Sequence, residues 1–264
     1  MKQICSDLTW EQDTLDTLVS DLTENQWATT TLCADWTIKD EICHLAYFDH
    51  TARLAATDSE VFTQHLIEDF GQVKDMDEVT AITLSRGRAM EIDALLAWWR
   101  AERRQLNSAL AGLGPKDRLP WYGPPMSALS FATARLMETW AHGQDIYDTL
   151  NQKRPASPGL KHVAHLGVTT FGWSFANRGQ EVPDTSVHVS LTAPSGETWT
   201  WGGDADAAET ITGPAVDFCL VVTQRRHVDD TALAVNGDTA RQWMLVAQAF
   251  AGPPDNGPAA GTFA

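Results

Sequence analysis

Over most of the first 180 positions, apolar residues recur at three- and four-residue intervals, the spacing of helices that pack by one face. In LTWEQDTLDTLVSDL (8–22) the stripe is Leu15, Leu18, Val19 and Leu22. DWTIKDEICHLAYFDHTARLAA (35–56) opens with Thr37 and Asp40, a pair of the capping-box type, and continues as a helix. SEVFTQHLIEDF (59–70) reads as a helix or an insertion. The longest periodic run, 76–113, stops at Gly114-Pro115. After a loop with Pro120, Gly123, Pro124 and Pro125, Ser127 caps a helix to about residue 150, and 159–179 reads as one more helix. Antiparallel neighbours joined in this way form a helical bundle.

The period changes past Gly179. TSVHVSLTAP and ETWTWGG alternate apolar and polar residues about Pro194-Ser195-Gly196, the pattern of a β-hairpin. A short strand (AETITG), a helix (214–226), a strand (TALAVNG) and a helix (238–250) follow, and the tail AGPPDNGPAAGTFA reads as a frayed end. With a boundary in NQKRPASP (151–158), residues 1–155 are expected to form a helical bundle and 156–264 a small α+β domain, so that the chain as a whole is α+β.

Composition narrows the function classes. The 264 residues carry 35 Asp and Glu against 19 Lys and Arg, a formal charge of −16 that argues against nucleic-acid or anionic-membrane partners. No apolar span approaches transmembrane length, and MKQICSDLTWEQDTLD lacks a hydrophobic signal region. Cys5, Cys33, Cys43 and Cys219 are scattered without a Cys-x-x-Cys spacing, which together points to a cytoplasmic, thiol-containing protein. Eleven tryptophans favour broad aromatic packing, with room for an apolar pocket. A Gly-x-Ser-x-Gly elbow and a phosphate-cradling glycine loop are both missing from the sequence.

Chemistry concentrates in METWAHGQDI (137–146), where ionisable residues sit inside an apolar segment. On a helix, Arg135, Glu138, His142 and Asp145 share an arc of about 80°. Glu138 and His142, at i and i+4, can bind one metal together, with Arg135 and Asp145 one turn beyond and suited to orienting the ligands. The competing reading is a solvated stripe with an Arg135–Glu138 pair. His44 is the best third donor; it lies at the edge of an apolar arc with Leu45, Phe48 and Ala52, a placement that permits it to face the interior without demanding it. His162 and His165 form an alternative i, i+3 pair beside Lys161, whereas His50, His65, His188 and His227 have no companion at a chelating spacing. Asp40 is explained as the partner of the Thr37 cap.

Trp36, Thr37, Asp40, His44, Leu45 and Ala46, followed about 90 residues later by Arg135, Glu138, His142 and Asp145, resemble the two motifs of the DinB/YfiT-like metalloenzymes. Within these, the sequence is most similar to the mycothiol-dependent maleylpyruvate isomerase family. The resemblance implies a DinB-like four-helix bundle followed by a sterol-carrier-protein-2-like α+β domain. It further implies an open divalent-metal site at His44, Glu138 and His142. Zinc suits this N,N,O set, with nickel, iron(II) and manganese as other candidates. Mycothiol or another small thiol would be the cofactor, and Arg225 or Arg226 would hold an anionic substrate; the competing reading of either arginine is a cation at a helix end. Two departures stand out: Gln224-Arg225 replaces the family's Gly-Arg step, and 59–70 is longer than the core pattern needs.

The expected function is therefore a metal-dependent enzyme acting on a small anionic electrophile through a thiol, as a maleylpyruvate-type isomerase or a thiol S-transferase, in a monomer or homodimer. The alternatives are a hydrolase using metal-activated water and a non-catalytic carrier of a small ligand or lipid. Three protein donors plus exchangeable water favour catalysis, and four favour a structural metal.

Overall fold

A computed structural model of the chain describes residues 1–33, 36–204 and 207–263. Its contacts divide it into two compact units, Met1–Pro155 and Ala156–Ala264. Helices dominate the first unit, and the second combines helices with a sheet, which makes the fold α+β.

The first unit is built on α1 (Lys2–Val19), α3 (Ile38–Thr57), α6 (Ile92–Ala111) and α7 (Ala128–Thr149). Each of α1 and α3 packs against both α6 and α7, closing a four-helix bundle. The short α2 (Glu24–Trp27), not expected from the sequence, is set by a Thr23–Gln26 capping box. Thr37 and Asp40 form a second capping box that starts α3; Asp35, the first residue of the expected segment, lies outside the described residues. The core gathers Leu15, Val19, Ile42, Leu45, Trp99 and Ile146.

Residues 59–70 are a helix, α4 (Ser59–Phe70), lying against α3. The expected single run over 76–113 is two helices, α5 (Met76–Arg88) and α6. A straight helix carrying Leu84 and Leu95 inward would also turn Arg88 and Glu91 toward the core, one and two turns on. The break between them leaves the Arg88 side chain half exposed, where its Nε donates 2.7 Å to Asp40 Oδ1. A two-residue ladder of β1 (Arg118–Leu119) and β2 (Met126–Ser127) flanks the proline-rich loop.

In the second unit, the expected helix over 159–179 is divided into α8 (Leu160–Thr169) and α9 (Phe171–Ala176). At the junction the Thr170 hydroxyl bonds back to the carbonyls of Leu166 and Gly167, competing with helix continuation. The sheet has the order β4 (Thr198–Trp201), β3 (His188–Thr192), β5 (Thr210–Pro214), β6 (Ala234–Asn236); β3 and β5 run parallel and the other neighbours antiparallel. Val189, Leu191 and Ile211 face inward beneath α10 (Ala215–Val222), which packs on α8 where Gly167 meets Val222. α10 stops short of the expected 226 because Gln224 adopts a left-handed φ of 60° and the chain turns back, Arg225 N donating to Leu220 O. After a short turn at Val228–Asp230, α11 (Asp238–Val246) ends the regular structure.

The tail is not frayed. Asp230 accepts from the backbone nitrogens of Gly261 and Phe263, Gln224 reaches Asp255 O at 2.6 Å, and Arg178 holds Asp255 and Asn256. Ala264 lies outside the described residues.

Candidate metal centre

Two capped helices carry the site. Thr37 fixes the start of α3, and His44 follows two turns on. Ser127 accepts from Ser130 N at the start of α7, which delivers Glu138 and His142 on successive turns. His44 Nε2 lies 3.4 Å from Glu138 Oε2, and His142 Nε2 lies 3.2 Å from that same oxygen. The two imidazole centroids are 4.3 Å apart. Trp36 stacks on His142 at 5.7 Å and Phe48 tilts against His44 at 4.6 Å, so aromatic rings flank both imidazoles. His142 is nearly buried, while Glu138 keeps a quarter of its side-chain surface exposed.

His142 has a second polar neighbourhood on its other nitrogen. Nδ1 lies 2.7 Å from Glu41 Oε2, and Glu41 Oε1 accepts from Thr31 Oγ1 at 2.6 Å. Asp145 Oδ2 is 3.9 Å from Nδ1, beyond hydrogen-bond length. Two clusters of metal-type side chains thus share this histidine among the described residues: His44, Glu138 and His142, and Cys33, Glu41, His142 and Asp145.

Donor spacing separates the two. Ligands on one tetrahedral ion with bonds of ~2.0–2.1 Å lie about 3.3 Å apart. The 3.2 and 3.4 Å separations in the first cluster fit such an edge. The 2.7 Å contact between Glu41 and Nδ1 is a hydrogen bond, too short for two ligands of one ion. Two imidazoles and one carboxylate, partly open to solvent, are a donor set that fits a divalent cation.

The electrostatics of the free side chains follow from this crowding. Burial, with His142 adding to it, pushes His44 down to about 4. For His142 burial also acts downward, but hydrogen bonds to Glu138 and Glu41 outweigh it and raise the imidazole to about 9. Burial opposes ionisation of Glu138, yet the two histidines hold its carboxyl well below the usual range. Burial pushes Glu41 up against its bond to His142.

The remaining expected residues fall elsewhere. Arg135 is engaged not by Glu138 but by Asp49, with Nη2 2.9 Å from Oδ1. His162 and His165 join neither cluster, and His165 Nδ1 accepts from Trp201 Nε1. In the second unit, Arg225 Nη1 donates 2.6 Å to Thr223 O, and the Arg226 guanidinium lies 3.5 Å from the centre of the Phe263 ring. Both arginines follow the end of α10 rather than riding on its last turn. Sequence reasoning missed Glu41. Its only signal was its place on the helix of His44, three residues earlier, which puts both on neighbouring turns of one face.

Residues 8–147, just over half of the chain, match the model of the mycothiol maleylpyruvate isomerase N-terminal domain. Uncharacterized proteins from the H37Rv and CDC 1551 strains of Mycobacterium tuberculosis are 42% identical over 252 residues, 96% of this chain and 96% of their own. Crystal structures of a mycothiol-dependent maleylpyruvate isomerase share the fold at 14% identity. A histidine-to-alanine mutant superposes with a TM-score of 0.59 over 90% of this chain and 93% of its own. A second structure gives 0.58 over 85% and 89%. On the extent of the family match, the chain belongs to the mycothiol maleylpyruvate isomerase family defined by that N-terminal domain.

Proposed function

We propose that His44, Glu138 and His142 hold a divalent cation, zinc by the preference of an N,N,O set. On this reading the protein is a thiol-dependent enzyme acting on a small anionic electrophile, as an isomerase of the maleylpyruvate type or as a thiol S-transferase. The observation that carries it is the convergence of donors from sequence positions 94 residues apart, with the Nε2 atoms of His44 and His142 each at a tetrahedral-edge spacing from Glu138 Oε2. Kinship with mycothiol-dependent isomerases supports the thiol. Bound there, the cation would lower the pKa of a thiol and favour its nucleophilic thiolate.

The chain's own groups have distinct tasks. Glu138 Oε2 faces both imidazoles and aligns their Nε2 atoms, while Trp36 and Phe48 cover the ring faces and restrict water. Arg225 or Arg226 is assigned to the carboxylate of the substrate. Isomerisation and S-transfer share the addition of a thiol to an electrophilic carbon and differ in whether the thiol leaves again. No helix among the described residues is long and apolar enough to cross a membrane, and the four cysteines are free, which supports work in a reducing cytoplasm.

Elemental analysis of purified wild type and His142→Ala, followed by turnover of maleylpyruvate with and without mycothiol, tests the reading. Stoichiometric metal in the wild type alone, with thiol-dependent turnover, is the expected result. A metal-free wild type, or a variant that keeps its metal, sinks the assignment of the ligands. Turnover that ignores thiol moves the chemistry to the hydrolytic alternative.

A further inference from the structure

We infer that Glu41 is the positioning residue of the centre, fixing the ring of His142 so that Nε2, and not Nδ1, is presented beside His44 and Glu138. The inference rests on the metal reading above and adds a residue that reading does not include.

An imidazole has two nitrogens, and the one that bonds a carboxylate settles which of the two offers a lone pair elsewhere. Glu41 is fully buried and lies 2.7 Å from Nδ1. Thr31 donates at 2.6 Å to its other oxygen, so the carboxylate is itself held from behind. Asp145 is the nearer choice in sequence, on the same helix as His142, but at 3.9 Å it does not reach Nδ1. Cys33 completes that cluster, yet the Glu41–Nδ1 contact has the length of a shared proton rather than of two ligands around an ion. A second cation is therefore not assigned there.

Geometry makes this a division of labour within one helix. α3 supplies His44 as a donor and, one turn earlier, supplies the carboxylate that orients the donor from α7. Sliding α3 by a turn would disturb both at once, and the Thr37–Asp40 box that sets its start guards against this. Partners of this kind, acting through a ligand rather than on the ion, are worth about 10–100-fold in metal affinity when removed.

Cobalt(II) titration of the full-length metal-free protein, read by its visible ligand-field bands, is the test. Glu41→Gln keeps the shape and an acceptor oxygen but loses the charge; Glu41→Ala loses both. The expected order of affinity is wild type, then E41Q, then E41A, with E41A weaker by about 10–100-fold and with altered bands. Thermal melts of the metal-free proteins separate this from a purely structural tie between α3 and α7, which would lower stability without changing the bands. If E41A does not fold, E41Q and Thr31→Val carry the measurement, each expected to weaken binding. Glu41 variants that bind cobalt within twofold of wild type, with unchanged bands, overturn the inference and leave the metal reading standing. A wild type that binds no cobalt overturns both, and is told apart because it fails before any variant is compared.

Discussion

Asp49 on α3 and Arg135 on α7 form an ion pair of 2.9 Å in which the carboxylate is fully buried and the guanidinium 3% exposed. Arg135 Nε reaches the same oxygen at 3.2 Å, and Trp99 Nε1 donates to the other at 3.1 Å. Removing one member strands a buried charge, which costs about 3–5 kcal/mol, whereas replacing both with apolar groups is often near neutral. Asp49→Ala is therefore expected to lose stability on that scale in urea unfolding. The double variant Asp49→Leu/Arg135→Met should recover most but not all of it, because Trp99 Nε1 then lacks its acceptor. A double variant as unstable as Asp49→Ala would show that the pair itself, and not the stranded charge, carries the energy.

Glu102 gives the fold a defined response to acid. Burial opposes its ionisation, but His50 Nδ1 at 3.0 Å and Arg53 Nε at 2.6 Å outweigh that and hold its carboxyl down to about 2. A folded pKa below the unfolded value of about 4.3 means that this contribution is fully present above the unfolded value. It is lost as pH falls from about 5 toward 2. The full shift corresponds to at most about 3 kcal/mol. Urea unfolding at stepped pH should show wild-type stability falling through that window, with a shallower fall in Glu102→Gln. Parallel curves for the two proteins would remove Glu102 from the account.

The column on α7 was legible because 3.6-residue periodicity alone puts residues 138 and 142 on one face. His44 needed a tertiary fact, the closeness of α3 and α7, which periodicity leaves open. Glu41 was hidden because an acidic residue in a first turn is explained well enough by the helix dipole. Arg135 was misleading in the opposite sense: Glu138 stands three residues away, and the partner it takes is Asp49, 86 residues distant. Desolvation decides that choice, since a carboxylate as buried as Asp49 requires a cation while the more exposed Glu138 does not. The breaks after Arg88 and Thr169 escaped notice because the apolar periodicity runs on past Gly87 and Gly167 and no proline stands at either. They come from polar residues that a continuous helix would bury and from a threonine hydroxyl competing for carbonyls.

At Gly87, α5 packs tightly against Cys43 on the helix of His44. A Cβ added there would lie 2.8 Å from Cys43 Cβ and 3.1 Å from its Cα, with Sγ closer still. Gly87→Ala should thus force α5 away from α3 and cost about 1–3 kcal/mol, despite alanine's better helix propensity. Cys43→Ala in the same chain removes the sulfur contact but not that with Cβ, so the double variant should regain only part of the loss. A double-mutant cycle in urea measures this coupling. A stabilised Gly87→Ala would mean the two helices separate freely at this point.

Arg225 and Arg226 are adjacent but differ in their contacts, Arg225 donating to Thr223 O and the Arg226 guanidinium lying against the Phe263 ring. The guanidinium of Arg226 is stacked on Phe263, whose backbone nitrogen is tied to Asp230, so this side chain helps to anchor the tail. Arg226→Met is expected to lower the melting temperature and speed proteolysis of the tail, and Phe263→Ala to reproduce part of that, a cation–π contact being worth about 0.5–1 kcal/mol. The proposed function gives the substrate carboxylate to Arg225 or Arg226. A charge-assisted hydrogen bond contributes about 1.5–3 kcal/mol, so Arg225→Met or Arg226→Met, whichever removes the partner of the anion, should raise KM for an anionic electrophile by about ten- to a hundredfold while kcat stays near wild type. A KM that rises in Arg225→Met alone assigns the role to Arg225; one that rises in Arg226→Met, with Phe263→Ala lowering it by uncovering the guanidinium, assigns it to Arg226. Unchanged KM in both arginine variants would take the anion-holding role away from this turn altogether.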